Sequence, residues 1–141
     1  MGKFVFRLAK LKQVKTIYEE QAKLVWAEAN RQLSNAIHQL AVLREMRVST
    51  SEYGYQCLDI SLRPAFYQYL NKIDRMIDTQ REIITNAKRE EENKRDKWNQ
   101  ARKEKEILQH LEEKQYREYI YEQLKNEQKE LDEIKNSSPR V

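Results

Sequence analysis

Pro64 to Ile134 reads PAFYQYLNKIDRMIDTQREIITNAKREEENKRDKWNQARKEKEILQHLEEKQYREYIYEQLKNEQKELDEI. The stretch has no glycine and no second proline. Apolar residues recur in it at three- and four-residue steps: Phe66, Leu70, Ile73, Ile77, Ile84, Ala87, Trp98, Ala101, Leu108 and Leu111. The run between Ala87 and Trp98 is charged, yet it is built of good helix formers and reads as solvated on every face. This pattern predicts one very long helix with a narrow apolar seam. About 70 residues at roughly 1.5 Å rise make a helix on the order of 100 Å long. Such a helix has almost no interior of its own and must lie against something. The rest of the chain is the first candidate.

The first half supplies a partner. From Leu8 a heptad frame runs through Leu11, Tyr18, Ala22, Val25 and Ala29. Leu33, Ile37 and Leu40 then fall out of frame, which reads as a stutter, and Leu43 and Met46 restore it. Val48 to Gly54 is rich in poor helix formers and predicts a weak or kinked stretch over 48–54. Two reversal points are conceivable. A reversal near Thr50 leaves everything past Leu108 unpaired. A reversal near 61–64 pairs residues whose numbers add to about 125, so that Trp98 meets Trp26 and Ala27, Leu108 meets Ile17, Ile84 meets Ala41, and Tyr116 and Tyr119 reach Leu8 and Phe6. The second register is consistent at every level. Pro64 suits the first turn of a helix, Arg63 before it is biased away from the α region, and Asp59 or Ser61 is placed to cap. The expectation is an all-α fold, a long antiparallel two-helix coiled-coil hairpin over 1–135, with a disordered tail over 136–141.

Composition agrees. Charged residues make up 35% and two glycines and two prolines leave little turn chemistry, which favours long helices over a sheet. The net charge of +4 lies wholly in residues 1–63, and interleaved opposite charges beyond them point to ion-paired helix faces rather than a nucleic-acid stripe. A single cysteine, Cys57, rules out an internal disulfide and fits a reducing compartment. No apolar run approaches the roughly 20 residues that span a bilayer, and Lys3, Arg7, Lys10 and Lys12 break up any signal-peptide core. The expectation is a soluble cytoplasmic protein, at most peripheral to the membrane, without nucleic-acid partners.

Enzyme chemistry is missing. Gly2 and Gly54 cannot form a phosphate loop, and His38 and His110 are isolated from further ligands. Carboxylates are abundant, but an exposed helix offers no cleft to shift their pKa values. No catalytic residue, cofactor or metal is expected. The aromatic residues are more informative. Tyr116, Tyr119 and Tyr121 cannot all face one seam, so Tyr121 either docks a partner or lies along the helix surface. Tyr53, Tyr55, Phe66, Tyr67 and Tyr69 exceed what a two-helix turn can bury, which leaves partner docking and local packing both open.

Three segments carry a family resemblance over essentially the whole chain. The opening Lys3-Phe4-Val5-Phe6-Arg7-Leu8 with Leu11, the mid-chain run Phe66-Tyr67-Gln68-Tyr69-Leu70-Asn71-Lys72-Ile73, and the closing Glu127-Gln128-Lys129-Glu130-Leu131-Asp132-Glu133 resemble the FliJ family of flagellar export proteins. The resemblance implies a non-enzymatic component of the flagellar type III export apparatus, involved in flagellum biogenesis and motility. Its implied partners are the export ATPase ring, the cytoplasmic part of the export-gate membrane protein, and export chaperones. It implies a gate-binding patch at Gln39, Leu43, Met46, Tyr69, Ile73, Met76 and Gln80, with Met46 and Thr50 departing from the family's usual aromatics. It implies an ATPase-facing end at Phe4, Phe6, Arg7, Tyr121, Gln128 and Leu131. The chain is expected to be a monomer. A self-associating structural coiled coil, or a subunit similar to a rotary-ATPase stalk, is the alternative.

Overall fold

A computed structural model describes residues 2–57 and 59–137, the Cys57 side chain excepted. Helix α1 spans Ala9–Cys57, a 3-10 turn spans Ile60–Leu62, and helix α2 spans Arg63–Ser137. The two helices pack against each other as a hairpin, and no strand occurs among the described residues. The chain forms two compact units. Residues 1–20 with 99–141 make a terminal unit, and residues 21–98 make a hairpin unit that contains the reversal.

The hairpin unit follows a strict alternation of four- and three-residue steps. On α1 its inward positions are Ala22, Trp26, Ala29, Leu33, Ala36, Leu40, Leu43, Arg47, Thr50 and Gly54; on α2 they are Phe66, Leu70, Ile73, Ile77, Gln80, Ile84, Ala87, Glu91, Lys94 and Trp98. This is the heptad spacing of a coiled-coil seam. Leu43, Ile73 and Ile77 form its best-packed cluster, with Leu40 and Met46 against it. Trp26 stacks on Trp98 with ring centroids 5.0 Å apart, as the sequence predicts. The indole N–H of Trp26 donates to Glu91 at 3.0 Å, and Arg95 stands 3.5 Å from the same carboxylate. Glu91 is therefore buried and Lys94 half-buried, so the charged run 88–97 is not solvated on every face. A buried carboxylate is tolerable here because its Oε1 keeps both the Trp26 N–H and the Arg95 guanidinium as partners.

The terminal unit repeats the spacing with charged residues inside. Leu8, Lys12, Lys15 and Glu19 line one helix, and Ala101, Lys105, Leu108, Glu112, Gln115 and Tyr119 line the other. Lys12 reaches Glu112 at 2.8 Å, Lys15 reaches Glu104 at 3.0 Å, and Lys105 stands 3.8 Å from Glu19. Leu11, Val14, Ile17 and Tyr18 are consequently exposed. The expected stutter does not exist. The seam takes Lys12, Glu19 and Trp26 where the apolar reading placed Leu11, Tyr18 and Val25, and it leaves Ile37 outside. Opposite charges across the seam make this arrangement acceptable, and polar core positions of this kind fix register.

Cross-helix pairs add to between 116 (Ala36 with Gln80) and 124 (Trp26 with Trp98, Lys12 with Glu112) where about 125 is expected, so the register lies about one turn short on average. Ile17, expected against Leu108, is exposed, and Tyr116 and Tyr119 reach Phe4, with Phe4–Tyr116 centroids 5.3 Å apart. Gln80 donates to the Ala36 carbonyl at 2.9 Å, a full turn or more from the expected pairing of Ile84 with Ala41. The cause is an earlier reversal: α1 ends at Cys57 and α2 begins at Arg63. Asp59 is extended and its carbonyl accepts the Leu62 N–H at 3.0 Å, while the Ser61 hydroxyl bonds the Asp59 carboxylate instead of capping α2. Arg63 is α-helical despite preceding Pro64, because its N–H closes on the Ile60 carbonyl and the 3-10 turn runs straight into α2. Helix α1 continues without interruption through 48–54. Gly54 is buried there, and the Phe66 ring occupies the space a side chain would need. Helix α2 includes Asn136 and Ser137, the Ser137 hydroxyl donating to the Ile134 carbonyl at 3.0 Å. The rest of the expected tail, 138–141, lies outside the described residues.

Candidate functional site

A coiled-coil pair has two flanks beside its seam, and in this chain they differ in chemistry. In the hairpin unit one flank carries Gln39, Met46 and Tyr53 on α1 and Tyr69, Met76 and Ile83 on α2, each set spaced by one heptad. The common side is shown by a shallow groove lined jointly by Gln39, Leu43, Lys72, Arg75, Met76, Thr79 and Gln80. Tyr53, Tyr69, Met76 and Ile83 are exposed on it. The opposite flank carries Ile37, Arg44, Ser51, Tyr67, Asp74 and Arg81. There Arg47 bonds Asp74 at 2.7 Å and Arg81 approaches Asp78 at 3.7 Å. Both flanks expose apolar groups, Ile37 and Tyr67 on the second; the first differs in having two methionines, with Lys72 and Arg75 beside Met76, and the second in its ion pair across the seam.

The structure brings the expected gate residues together but gives them different roles. Gln39, Leu43, Met76 and Gln80 line the groove. Tyr69 stands exposed at its edge, and Met46 packs half-buried on the core cluster. Ile73 is only 1% exposed, so it supports the groove from below and is out of reach of a partner. The Gln80 amide is committed to the Ala36 carbonyl. Sequence reasoning did not include Ile83 and left Tyr53 unassigned; the seven-residue spacing Tyr69, Met76, Ile83 was the signal that points to them. The aromatic excess at the reversal divides. Phe66 is buried with Tyr55 and Tyr67 at centroid distances of 5.7 and 5.6 Å, and the four tyrosines Tyr53, Tyr55, Tyr67 and Tyr69 are all exposed.

The second set lies in the terminal unit. Phe6 is buried, Phe4 is half-buried against Tyr116 and Tyr119, and Arg7 is exposed. The Tyr119 hydroxyl donates to the Gly2 carbonyl. Tyr121 and Gln128 line a shallow groove with Leu124, Lys125, Lys129 and Asp132, and Leu131 is exposed nearby. From Leu124 to Ser137 every residue is exposed. The apolar stripe also changes face here. The seam spacing past Tyr119 would continue on Glu122, Asn126 and Lys129, while Ile120, Leu124 and Leu131 form a stripe on another side of the helix. Phe4 and Phe6 anchor this unit from within, and Tyr121, Leu124 and Leu131 are its accessible apolar groups.

No cluster of His, Cys, Asp or Glu suited to a metal occurs among the described residues. His110 stands 3.7 Å from Glu113 on the open helix surface. No helix among the described residues is long and apolar enough to cross a membrane. The perturbed carboxylates belong to ion pairs: the hydrogen bond from Arg47 holds the Asp74 carboxyl below its ordinary range against an opposing effect of burial, and the hydrogen bond from Lys15 lowers Glu104 in the same way. A carboxyl depressed on folding stabilises above its unfolded pKa, and this stability is lost as the pH falls through the folded value. Melting followed by circular dichroism is therefore expected to weaken between about pH 5 and pH 3, with a shallower fall in Asp74→Asn. Equal slopes in the variant and the parent would show that this pair adds nothing.

A family model described as flagellar FliJ protein matches residues 4–140. No curated protein and no solved structure matches the chain.

Proposed function

The chain belongs to the flagellar FliJ family, a component of the flagellar export apparatus, and on that premise we propose that it links the export ATPase to the export gate without catalysing any reaction itself. The observation that carries this reading is the heptad-spaced row Tyr69, Met76 and Ile83 on α2 with Tyr53 on α1, all exposed beside the seam, with Met46 half-buried at its base. Exposed apolar patches with aromatic and methionine anchors are features of docking sites. In this reading the flank meets the cytoplasmic part of the export-gate protein. The accessible residues of the terminal unit, Arg7, Tyr121, Gln128 and Leu131, meet the ATPase ring, with Phe4 and Phe6 holding that end together. A helix pair in a ring acts by differential contact with the ring's conformations, which requires no active site. Handling of export chaperones and a cytoplasmic location belong to the same reading.

The test uses the full chain, the purified export ATPase and the soluble part of the gate protein. The chain alone is expected to hydrolyse no ATP and to raise the ATPase rate of its partner. Met76→Glu with Ile83→Glu is expected to weaken gate binding by about tenfold or more, since a desolvated charge in an apolar contact costs more than 1.4 kcal/mol, while leaving ATPase stimulation intact. Hydrolysis by the chain itself, or an unchanged ATPase rate, overturns the coupling role. The alternative of a self-associating structural coiled coil draws on the exposed stripe of Ile120, Leu124 and Leu131. It requires a hydrodynamic radius that grows with concentration.

A further inference from the structure

The terminal unit has an apolar flank of its own that neither proposed partner uses. Lys15 bonds Glu104 at 3.0 Å and its Nζ lies 5.9 Å from the Tyr18 ring, which places Tyr18 and Glu104 on the same side of the seam. Leu11 and Leu111 lie one heptad from them on that side, and Val14 and Ile107 continue the face. Leu11, Val14, Tyr18 and Ile107 are all exposed, Ile107 at 65%, and Leu111 is half-buried. Here the helices turn charged residues toward each other and apolar ones outward, an inversion that leaves a stripe two turns long without cover.

The rim identifies the chemistry of its cover. Lys10 lies four residues before Val14, Lys103 four before Ile107, and Lys114 three after Leu111, so each ammonium borders the face. None of the three has an acidic partner among the described residues. Of the nearby acids Glu104 is committed to Lys15 and Glu112 to Lys12, and Glu118, exposed one heptad beyond Leu111, is outnumbered by the three lysines. The first turn of α1 contains no acid, although acids are favoured there by the helix dipole. An apolar floor with basic edges complements a helix with an apolar stripe and acidic edges.

We infer that this flank seats one amphipathic helix of a partner protein, its apolar stripe lying on Leu11, Tyr18, Ile107 and Leu111 and its Asp and Glu side chains meeting Lys10, Lys103 and Lys114. The third helix completes a local three-helix bundle over the Lys15–Glu104 bridge. The site is distinct from the gate flank and from the ATPase end, and it stands whether or not those assignments hold.

The test measures binding of fluorescent helical peptides of about 21 residues to the full chain by anisotropy. The peptides share one leucine stripe and carry either glutamate or lysine edges. The glutamate peptide is expected to bind about tenfold or more tighter than the lysine peptide at low salt. Leu11→Glu with Leu111→Glu removes that binding, whereas Met76→Glu in the other unit leaves it unchanged. Lys10→Glu, Lys103→Glu and Lys114→Glu together reverse the peptide preference, and circular dichroism checks that each variant keeps its helicity. Equal affinity for the two peptides, no binding of either, or loss through Met76→Glu overturns the inference. So does tight binding of a single-stranded RNA or duplex DNA probe that depends on the three lysines and ignores Leu11, because that outcome assigns the face to nucleic acid.

Discussion

Truncation of Ile73 to alanine lowers the unfolding free energy by about 2–5 kcal/mol, the range for removing a buried isoleucine and leaving a partly collapsed cavity. Among the described residues Ile73 is the most buried large side chain, 1% exposed, and it belongs to the cluster with Leu43 and Ile77 in the hairpin unit. A two-helix seam has no second layer to move into the space, so relaxation recovers little of the loss. The measurement is guanidinium unfolding followed by tryptophan fluorescence. It is well posed because Trp26 and Trp98, stacked on each other, both belong to the unit that contains Ile73. Ile107→Ala is the internal comparison: that side chain is 65% exposed, and its loss is expected to stay within about 0.5 kcal/mol. If the two substitutions cost the same, the burial pattern does not govern stability.

Gly54→Ala is expected to destabilise by about 1–3 kcal/mol, although alanine is the better helix former by about 1 kcal/mol. The sign follows from packing. A Cβ on Gly54 would overlap the ring of Phe66, and that ring is buried and flanked by Tyr55 and Tyr67. Moving it disturbs the aromatic group that closes the reversal. Phe66→Leu is expected to cost stability alone and to recover part of the loss in combination with Gly54→Ala, because the shorter side chain vacates the contested space. A double-mutant cycle gives the coupling directly. A stabilising Gly54→Ala would mean that the ring yields without cost and that helix propensity decides the site.

Most of α2 was legible from sequence. Phe66, Leu70, Ile73, Ile77, Ile84, Ala87, Trp98, Ala101 and Leu108 all lie on the seam, and only Leu111 belongs to the flank. The stacking of Trp26 on Trp98 was also legible. Helix α1 was harder, for a physical reason. Lys12, Lys15 and Glu19 are inside only because Glu112, Glu104 and Lys105 face them, and a charge that depends on a partner some ninety residues away looks like a solvated one in a local reading. The apolar residues beside them then attracted the frame and produced a stutter that the backbone does not have. The same error concealed the flanks, since Leu11 and Tyr18 were spent on the seam. Of the residues proposed to meet the gate, Gln39, Leu43, Met76 and Gln80 share one groove, but Ile73 and the Gln80 amide are held within the hairpin, which spacing alone does not reveal.

The unbroken four-three alternation also constrains how such a chain changes length in evolution. Each residue inserted in a helix turns everything beyond it by about 100°. One or two extra residues would swing Lys12, Glu19 or Glu91 away from its counterpart and bring an unmatched charge inward. Seven restore the facing. Drift in length is therefore admitted in whole heptads, gained or lost by both helices together, while substitutions on the flanks remain free to follow whatever partner each lineage keeps.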